Sequence, residues 1–260
     1  MKNKVGKVFL VGAGPGDVGL MTIKALEKLK TADVVVYDRL INEELLSFCK
    51  KGCELIFVGK ESGYHPIEQE RITEILVNKS KSGFNVVRLK GGDPCVFGRG
   101  SEEAMQLKKS AIEYEIIPGI TSGIAVPMYS GIPLTHRGIT TQCVFVTAHE
   151  CPDKPGSQVE WEKLAKLKNT SLVIYMGASR IDAIAKKLIQ DGMDPSIPAA
   201  VIENGTLPIQ RTITARLDRI ADEFNKQEFH APVIIIISET ISLRDKISWF
   251  EKECLTIETI

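Results

Sequence analysis

The stretch VFLVGAGPGD, Val8 to Asp17, decides how this chain is read. Val8 to Gly12 is an unbroken apolar run of strand length, so it predicts a strand buried on both faces, as in a parallel sheet. A strand that opens into glycines usually suggests a nucleotide cofactor, provided the turn follows G-x-G-x-x-G. Gly12 and Gly14 fit that pattern, but the third position is Asp17, whose carboxylate would repel a pyrophosphate. Pro15 also removes one backbone N–H from the loop that would cradle it. Asp38 stands about where a ribose-binding acid belongs, yet without the glycine pattern it is a decoy. The P-loop fails as well: Gly14 and Gly19 have the right separation, but Leu20-Met21 replace the Lys-Ser/Thr pair. Taken alone, the stretch is equally a tight turn with no ligand.

Working outward, strands are expected at Asp33–Tyr37, Glu54–Val58, Val86–Leu89 and Glu115–Ile117. Helices are expected at Leu20–Lys30, with Asp17 as an N-cap near its start, and at Glu43–Lys50, Gln69–Ser80, Ser101–Lys109 and Thr121–Ser130. This alternation predicts an α/β fold with a largely parallel sheet. SGIPLTHRG, Ser130 to Gly138, has glycine near both ends, a proline and no periodicity. It predicts a linker over 133–139 between an α/β domain at 1–132 and a second at 140–260. In the second half, strands are expected at Cys143–Thr147, Ser171–Met176, Ala199–Ile202, Gln210–Ala215 and Pro232–Ser238, some pairing antiparallel. Helices are expected there at Trp161–Leu167, Ile181–Gln190 and Leu217–Asn225.

Basic and acidic side chains balance at 33 each, which argues against a nucleic-acid partner. The strongest apolar run, Val233 to Ile237, is too short to span a membrane, and the N-terminus lacks a signal-peptide core. A cytoplasmic location is the expectation. Cysteines fall at 49, 53, 95, 143, 151 and 254 without a C-x-x-C pair, and the four histidines lack ligand spacing, so no metal is expected.

In open α/β sheets, ligands sit at the carboxyl ends of strands. Those ends carry glycine and small polar residues: GAGPGD, Gly91-Gly92-Asp93-Pro94, Pro118 to Ser122, Tyr175-Met176-Gly177 and Glu203 to Thr206. They suit a ligand held by backbone and shape. Among the charged residues of these and neighbouring loops are Asp38, Arg39, Lys60, Asp93, Arg99, His136 and Arg137. The basic ones suggest an anionic substrate, since Arg binds carboxylates bidentately. For each, a surface ion pair is the competing explanation, and for Asp93 a turn cap before Pro94.

VGAGPGDVGLMTIKA, VVVYDRL, VGKESGYHPIEQE, VVRLKGGDPCVFGRGSEEA, IIPGITSGIA, YSGIPLTHRG, YMGASR, VIENGT and LRDKISWF run from residue 8 to about 250. Together they resemble the S-adenosylmethionine-dependent tetrapyrrole methyltransferases. The set YDRL, GYHP, GIPLTHRG and ENGT narrows the resemblance to the uroporphyrinogen-III C-methyltransferases. The resemblance implies two α/β domains with the active site in the cleft between them, usually in a homodimer. It also implies transfer of two methyl groups from S-adenosylmethionine to C2 and C7 of uroporphyrinogen III, giving precorrin-2 for sirohaem and cobalamin biosynthesis. The chain looks like the stand-alone form.

Carried over by position, the cofactor residues would be Pro15, Gly91, Gly92, Asp93, Val96, Thr121, Ser122, Met176 and Gly205. Asp38 matches the residue assigned as proton acceptor and Lys60 the one assigned as donor, though Lys60 could equally pair with a substrate carboxylate. Arg39, Arg99, His136 and Arg137 are expected to bind the acetate and propionate arms. Ala148, Thr140 to Cys143, and Ser238 depart from the family pattern without touching a carried-over residue. Two alternatives stay open: another precorrin C-methyltransferase, and a non-catalytic S-adenosylmethionine-binding regulator.

Overall fold

The computed structural model describes residues 5–59, 69–149 and 157–250. It divides into two compact units that meet at Ser122 and Gly123.

The first unit holds β1 (Val8–Gly12), β2 (Val34–Tyr37), β3 (Glu54–Phe57), β4 (Val86–Lys90) and β5 (Tyr114–Ile117), all parallel, in the order β3-β2-β4-β1-β5. Its helices are α1 (Ile23–Thr31), α2 (Gln69–Lys81) and α3 (Gly100–Lys109). Strand side chains alternate between two cores. Val8, Leu10, Val34, Val36 and Val86 pack with α2 and α3 residues such as Leu76 and Leu107. Val11, Val35, Val87 and Leu89 pack with Ala25 and Leu29 of α1. The helices leaving β1 and β4 therefore cover opposite faces of the sheet. That makes the adjacent carboxyl ends of β1 and β4 the switch point where open α/β sheets form a crevice.

α4 (Ser122–Tyr129) leads into the second unit, with β6 (Gln142–Thr147), β7 (Thr170–Tyr175), β8 (Pro198–Glu203), β9 (Arg211–Arg216) and β10 (Val233–Ile237). The order is β6-β7-β10-β8-β9. Only β6 and β7 run parallel; the other three pairings are antiparallel. α5 (Trp161–Ala165), α6 (Ile181–Gln190) and α7 (Ile220–Lys226) pack on one large core, and α8 (Arg244–Ile247) follows a 3-10 helix, Glu239–Leu243.

The unit boundary falls earlier than the segment 133–139. Ser171 Oγ donates to the Leu134 carbonyl (2.6 Å), as does Thr140 Oγ1 (3.3 Å), so this segment packs within the second unit. The start of the first helix also differs from expectation. Asp17 caps a 3-10 turn, Val18–Leu20, by accepting from Gly19 N (2.7 Å), and Thr22 caps α1 from Ile23 on. Glu43–Phe48 is likewise a 3-10 helix, capped by Asn42. Ser238, a family departure, is fully buried; its hydroxyl accepts from Thr240 N (3.1 Å) and shares a hydrogen bond with Ser171 (2.7 Å).

Candidate active site

The strand-end loops of β1, β4 and β5 are knitted into one surface. Gly14 N donates to the Gly92 carbonyl (3.1 Å) and Gly92 N to the Gly14 carbonyl (2.7 Å). Gly12, Gly92 and Gly119 approach so closely that side chains are excluded. A Cβ on Gly12 would meet Gly92 O at 2.7 Å, and one on Gly119 would collide with the same oxygen. Gly14 and Gly92 also have φ of +82° and +64°, where glycine carries no steric penalty. Asp93 braces the arrangement. One carboxylate oxygen accepts from Cys95 N (2.8 Å) and Val96 N (3.1 Å), and the other from Gly119 N (3.2 Å). The turn-capping alternative for Asp93 therefore describes its contacts, and the same contacts tie two loops together. Thr121 and Ser122 lie against Gly92. Pro15 is half-buried in a loop also held by Asn42, whose amide donates to the Gly16 carbonyl (2.9 Å).

Asp38 follows β2 and stands beside this surface. Its carboxylate accepts from Leu40 N (3.1 Å) and pairs with Arg88 Nη2 (3.1 Å). Arg88 reaches on to Glu103 (Nε to Oε1, 3.2 Å), which also pairs with Lys90 (3.2 Å) and accepts from Gln69 (2.8 Å). Glu103 is fully buried and Arg88 only 3% exposed. Burial, reinforced by the neighbouring Arg88 charge, pushes the Lys90 ammonium below its ordinary range, against the pull of Glu103 and Asp38. Removing one member of a buried ion pair typically costs about 3–5 kcal/mol, so each member depends on the others. Sequence reasoning passed over it. The available signal was two basic residues, 88 and 90, at period two within an otherwise apolar strand.

In the second unit, Met176 and Gly205 follow β7 and β8. These strands point the same way on either side of β10, so both loops lie at one sheet edge. Three non-glycine residues here are left-handed: Met176 (φ +56°), Asn204 (+49°) and Thr206 (+70°). Such strain persists where surrounding structure enforces it, and it clusters at ligand sites. The enforcing groups are visible. Thr206 N donates to Gln210 Oε1 (2.7 Å), Gln210 Nε2 donates to Ser130 (3.1 Å), and Gly123 N donates to the hydroxyl of Tyr175 (2.7 Å). A Cβ on Gly205 would collide with Val126 of α4.

The remaining candidates divide between the two units. Arg39 is exposed beside Asp38 and makes no ion pair among the described residues. Arg99 is exposed and forked onto Glu102 (3.0 and 2.8 Å), a pair that a stronger anion could displace. His136 and Arg137 form an exposed turn before β6, at the sheet edge opposite Met176 and Gly205. Lys60 and the GYHP motif lie outside the described residues.

This donor set fits S-adenosylmethionine better than a dinucleotide. It offers backbone groups around a close-packed glycine junction rather than clustered cations. In its β1 loop, a proline and a carboxylate replace the donors that a pyrophosphate needs. Among the described residues no group of three or more His, Cys, Asp or Glu could hold a metal, and no helix is long and apolar enough to cross a membrane.

Residues 7–221 match the family model described as tetrapyrrole (corrin/porphyrin) methylases. The chain is 50% identical over 241 residues to a uroporphyrinogen-III C-methyltransferase of Methanocaldococcus jannaschii, covering 92% of this chain and 98% of that one. It is 44% identical to a siroheme synthase of Escherichia coli, covering 94% of this chain but only 52% of that protein, so it spans about half the length of those longer relatives. Among solved structures it is similar to the Thermus thermophilus uroporphyrin-III C-methyltransferase complexed with S-adenosylhomocysteine. There the identity is 38%, the TM-score 0.76, and the coverage 91% of this chain and 93% of that one.

Proposed function

The chain belongs to the tetrapyrrole (corrin/porphyrin) methylase family, and on that premise we propose that it methylates uroporphyrinogen III at C2 and C7 with S-adenosylmethionine, giving precorrin-2. The carrying observation is the 50% identity to a uroporphyrinogen-III C-methyltransferase over 98% of that protein. The product would feed sirohaem or cobalamin biosynthesis. The same reading makes the protein a cytoplasmic homodimer.

S-adenosylmethionine, when bound, supplies a methyl group already activated by a sulfonium, so the protein's main contribution is positioning. Pro15, Gly91, Gly92, Asp93, Val96, Thr121 and Ser122 of the first unit would hold it, with Met176 and Gly205 of the second. Asp38 accepts the proton that the macrocycle releases after methylation, a role for a positioned carboxylate. Lys60, at the position the resemblance assigns as proton donor, pairs its ammonium with a carboxylate of the substrate. Arg39, Arg99, His136 and Arg137 hold the substrate's carboxylate arms by charge-assisted hydrogen bonds.

Calorimetric titration tests the cofactor assignment. S-adenosylhomocysteine should bind at one site per chain and NAD should give no heat. Binding of NAD with no response to S-adenosylhomocysteine would overturn it.

A further inference from the structure

We propose that Glu103 is a positioning residue for this reaction, acting through Arg88 on the carboxylate of Asp38. The inference rests on the reading of Asp38 as the base. Asp38 has one charged contact among the described residues, Arg88 Nη2 at 3.1 Å, and its other oxygen accepts from Leu40 N. The direction of its carboxylate therefore depends on where the guanidinium stands. A guanidinium is a rigid fork of five donors. In Arg88, Nη1 donates to the carbonyls of Val36 (3.4 Å) and Leu89 (3.1 Å), Nη2 faces Asp38, and Nε is held by Glu103 Oε1 at 3.2 Å. Because the fork is planar and stiff, a displacement at the Glu103 end is delivered to Asp38.

Charge strengthens the coupling. Arg88, Lys90, Asp38 and Glu103 form a neutral quartet of two cations and two anions. Without the Glu103 charge, Arg88 and Lys90 would have Asp38 as their only anion in this cluster, and Asp38 would be drawn inward as a counter-ion. Packing alone does not account for Glu103. It is fully buried, Oε1 takes donors from Gln69, Arg88 and Lys90, and Oε2 has no partner among the described residues. An apolar side chain with apolar partners would stabilise such a position as well or better.

The test measures methyl transfer to uroporphyrinogen III by wild type, Glu103→Gln, Asp38→Asn and the double variant, together with calorimetric affinity for S-adenosylhomocysteine. Glu103→Gln should lower kcat by about tenfold or more, the scale of a misplaced catalytic group. Its affinity for S-adenosylhomocysteine should stay within about twofold of wild type, and in the Asp38→Asn background it should slow the reaction no further, since the two residues act as one unit. Unchanged kcat, or losses that multiply in the double variant, would overturn the proposal. If Glu103→Gln does not fold, Arg88→Lys, which keeps the charge but loses the fork, takes its place in the same cycle with the same two outcomes. A wild type that does not methylate uroporphyrinogen III overturns the functional reading itself, and the proposal with it. An active wild type with an indifferent Glu103→Gln overturns the positioning role alone.

Discussion

The two units each build a loop surface at the carboxyl edge of a five-stranded sheet, by opposite means. In the first, the loops after β1, β4 and β5 come together because Gly12, Gly92 and Gly119 have no Cβ to separate them. In the second, Met176, Asn204 and Thr206 keep their side chains and hold left-handed backbone, with Gln210 buttressing the Thr206 turn through its amide. One surface is made by removing atoms and the other by restraining them. The first should therefore break when atoms are added, and the second when a restraint is lost.

Gly119→Ala should have the largest effect. Its Cβ would collide with the Gly92 carbonyl and stand 2.7 Å from Gly12 Cα, both main-chain atoms that cannot rotate away. Destabilisation of roughly 2–3 kcal/mol is expected, the upper part of the overpacking range. At the usual scaling the melting temperature falls by about 4–12 °C, alongside weaker S-adenosylhomocysteine binding by calorimetry. Alanine accommodated without loss would refute the close-approach account.

Gln210→Ala should come next. It removes the 2.7 Å acceptor of the buried Thr206 N–H and one of the hydrogen bonds at Ser130 Oγ. A cost of about 2 kcal/mol, within the range for an unsatisfied buried donor, should appear in denaturant melts.

Met176→Gly should move stability the other way. Relief of left-handed strain, about 1–2 kcal/mol, outweighs glycine's extra chain entropy of about 0.5–1 kcal/mol. A rise of a degree or more in melting temperature with weaker cofactor binding would mark Met176 as strained for function; a fall would mean its side chain matters to stability.

The effect that is smallest at neutral pH sets in only under alkaline conditions and is confined to the first unit. Burial, with the neighbouring Cys53, pushes the Cys49 thiol up to about 12. In the unfolded chain it ionises near pH 8.5. Above that pH the unfolded state loses its proton while the folded state keeps it, so stability falls as pH rises through this window. Wild type should therefore lose melting temperature more steeply than Cys49→Ala between about pH 9 and 11.

The same contrast explains what could be read in advance. The apolar runs of β1, β2 and β4 gave the parallel sheet, because a strand buried on both faces has no polar alternation to hide it. The glycines of GAGPGD and GGDP marked the first unit's surface, because glycine signals close approach through its own identity. The second unit's loops were legible as strand ends at Met176 and Gly205, but the groups that hold them were hidden. Gln210 and Tyr175 are unremarkable residues whose work depends on partners far away in the chain, Ser130 and Gly123. The quartet around Arg88 was hidden for the same reason, since Glu103 and Asp38 meet it only across α3 and β2. Local capping decided the rest. Asp17 and Thr22, five residues apart, split one expected helix into a 3-10 turn and α1.

The most direct test is incubation of the purified chain with uroporphyrinogen III and S-adenosylmethionine labelled at the methyl group, under reducing conditions, with products resolved by mass. Two labelled methyl groups on the macrocycle, accompanied by two equivalents of S-adenosylhomocysteine, are predicted. No methyl incorporation into uroporphyrinogen III, with label instead entering a corrinoid precursor supplied in parallel, would contradict it.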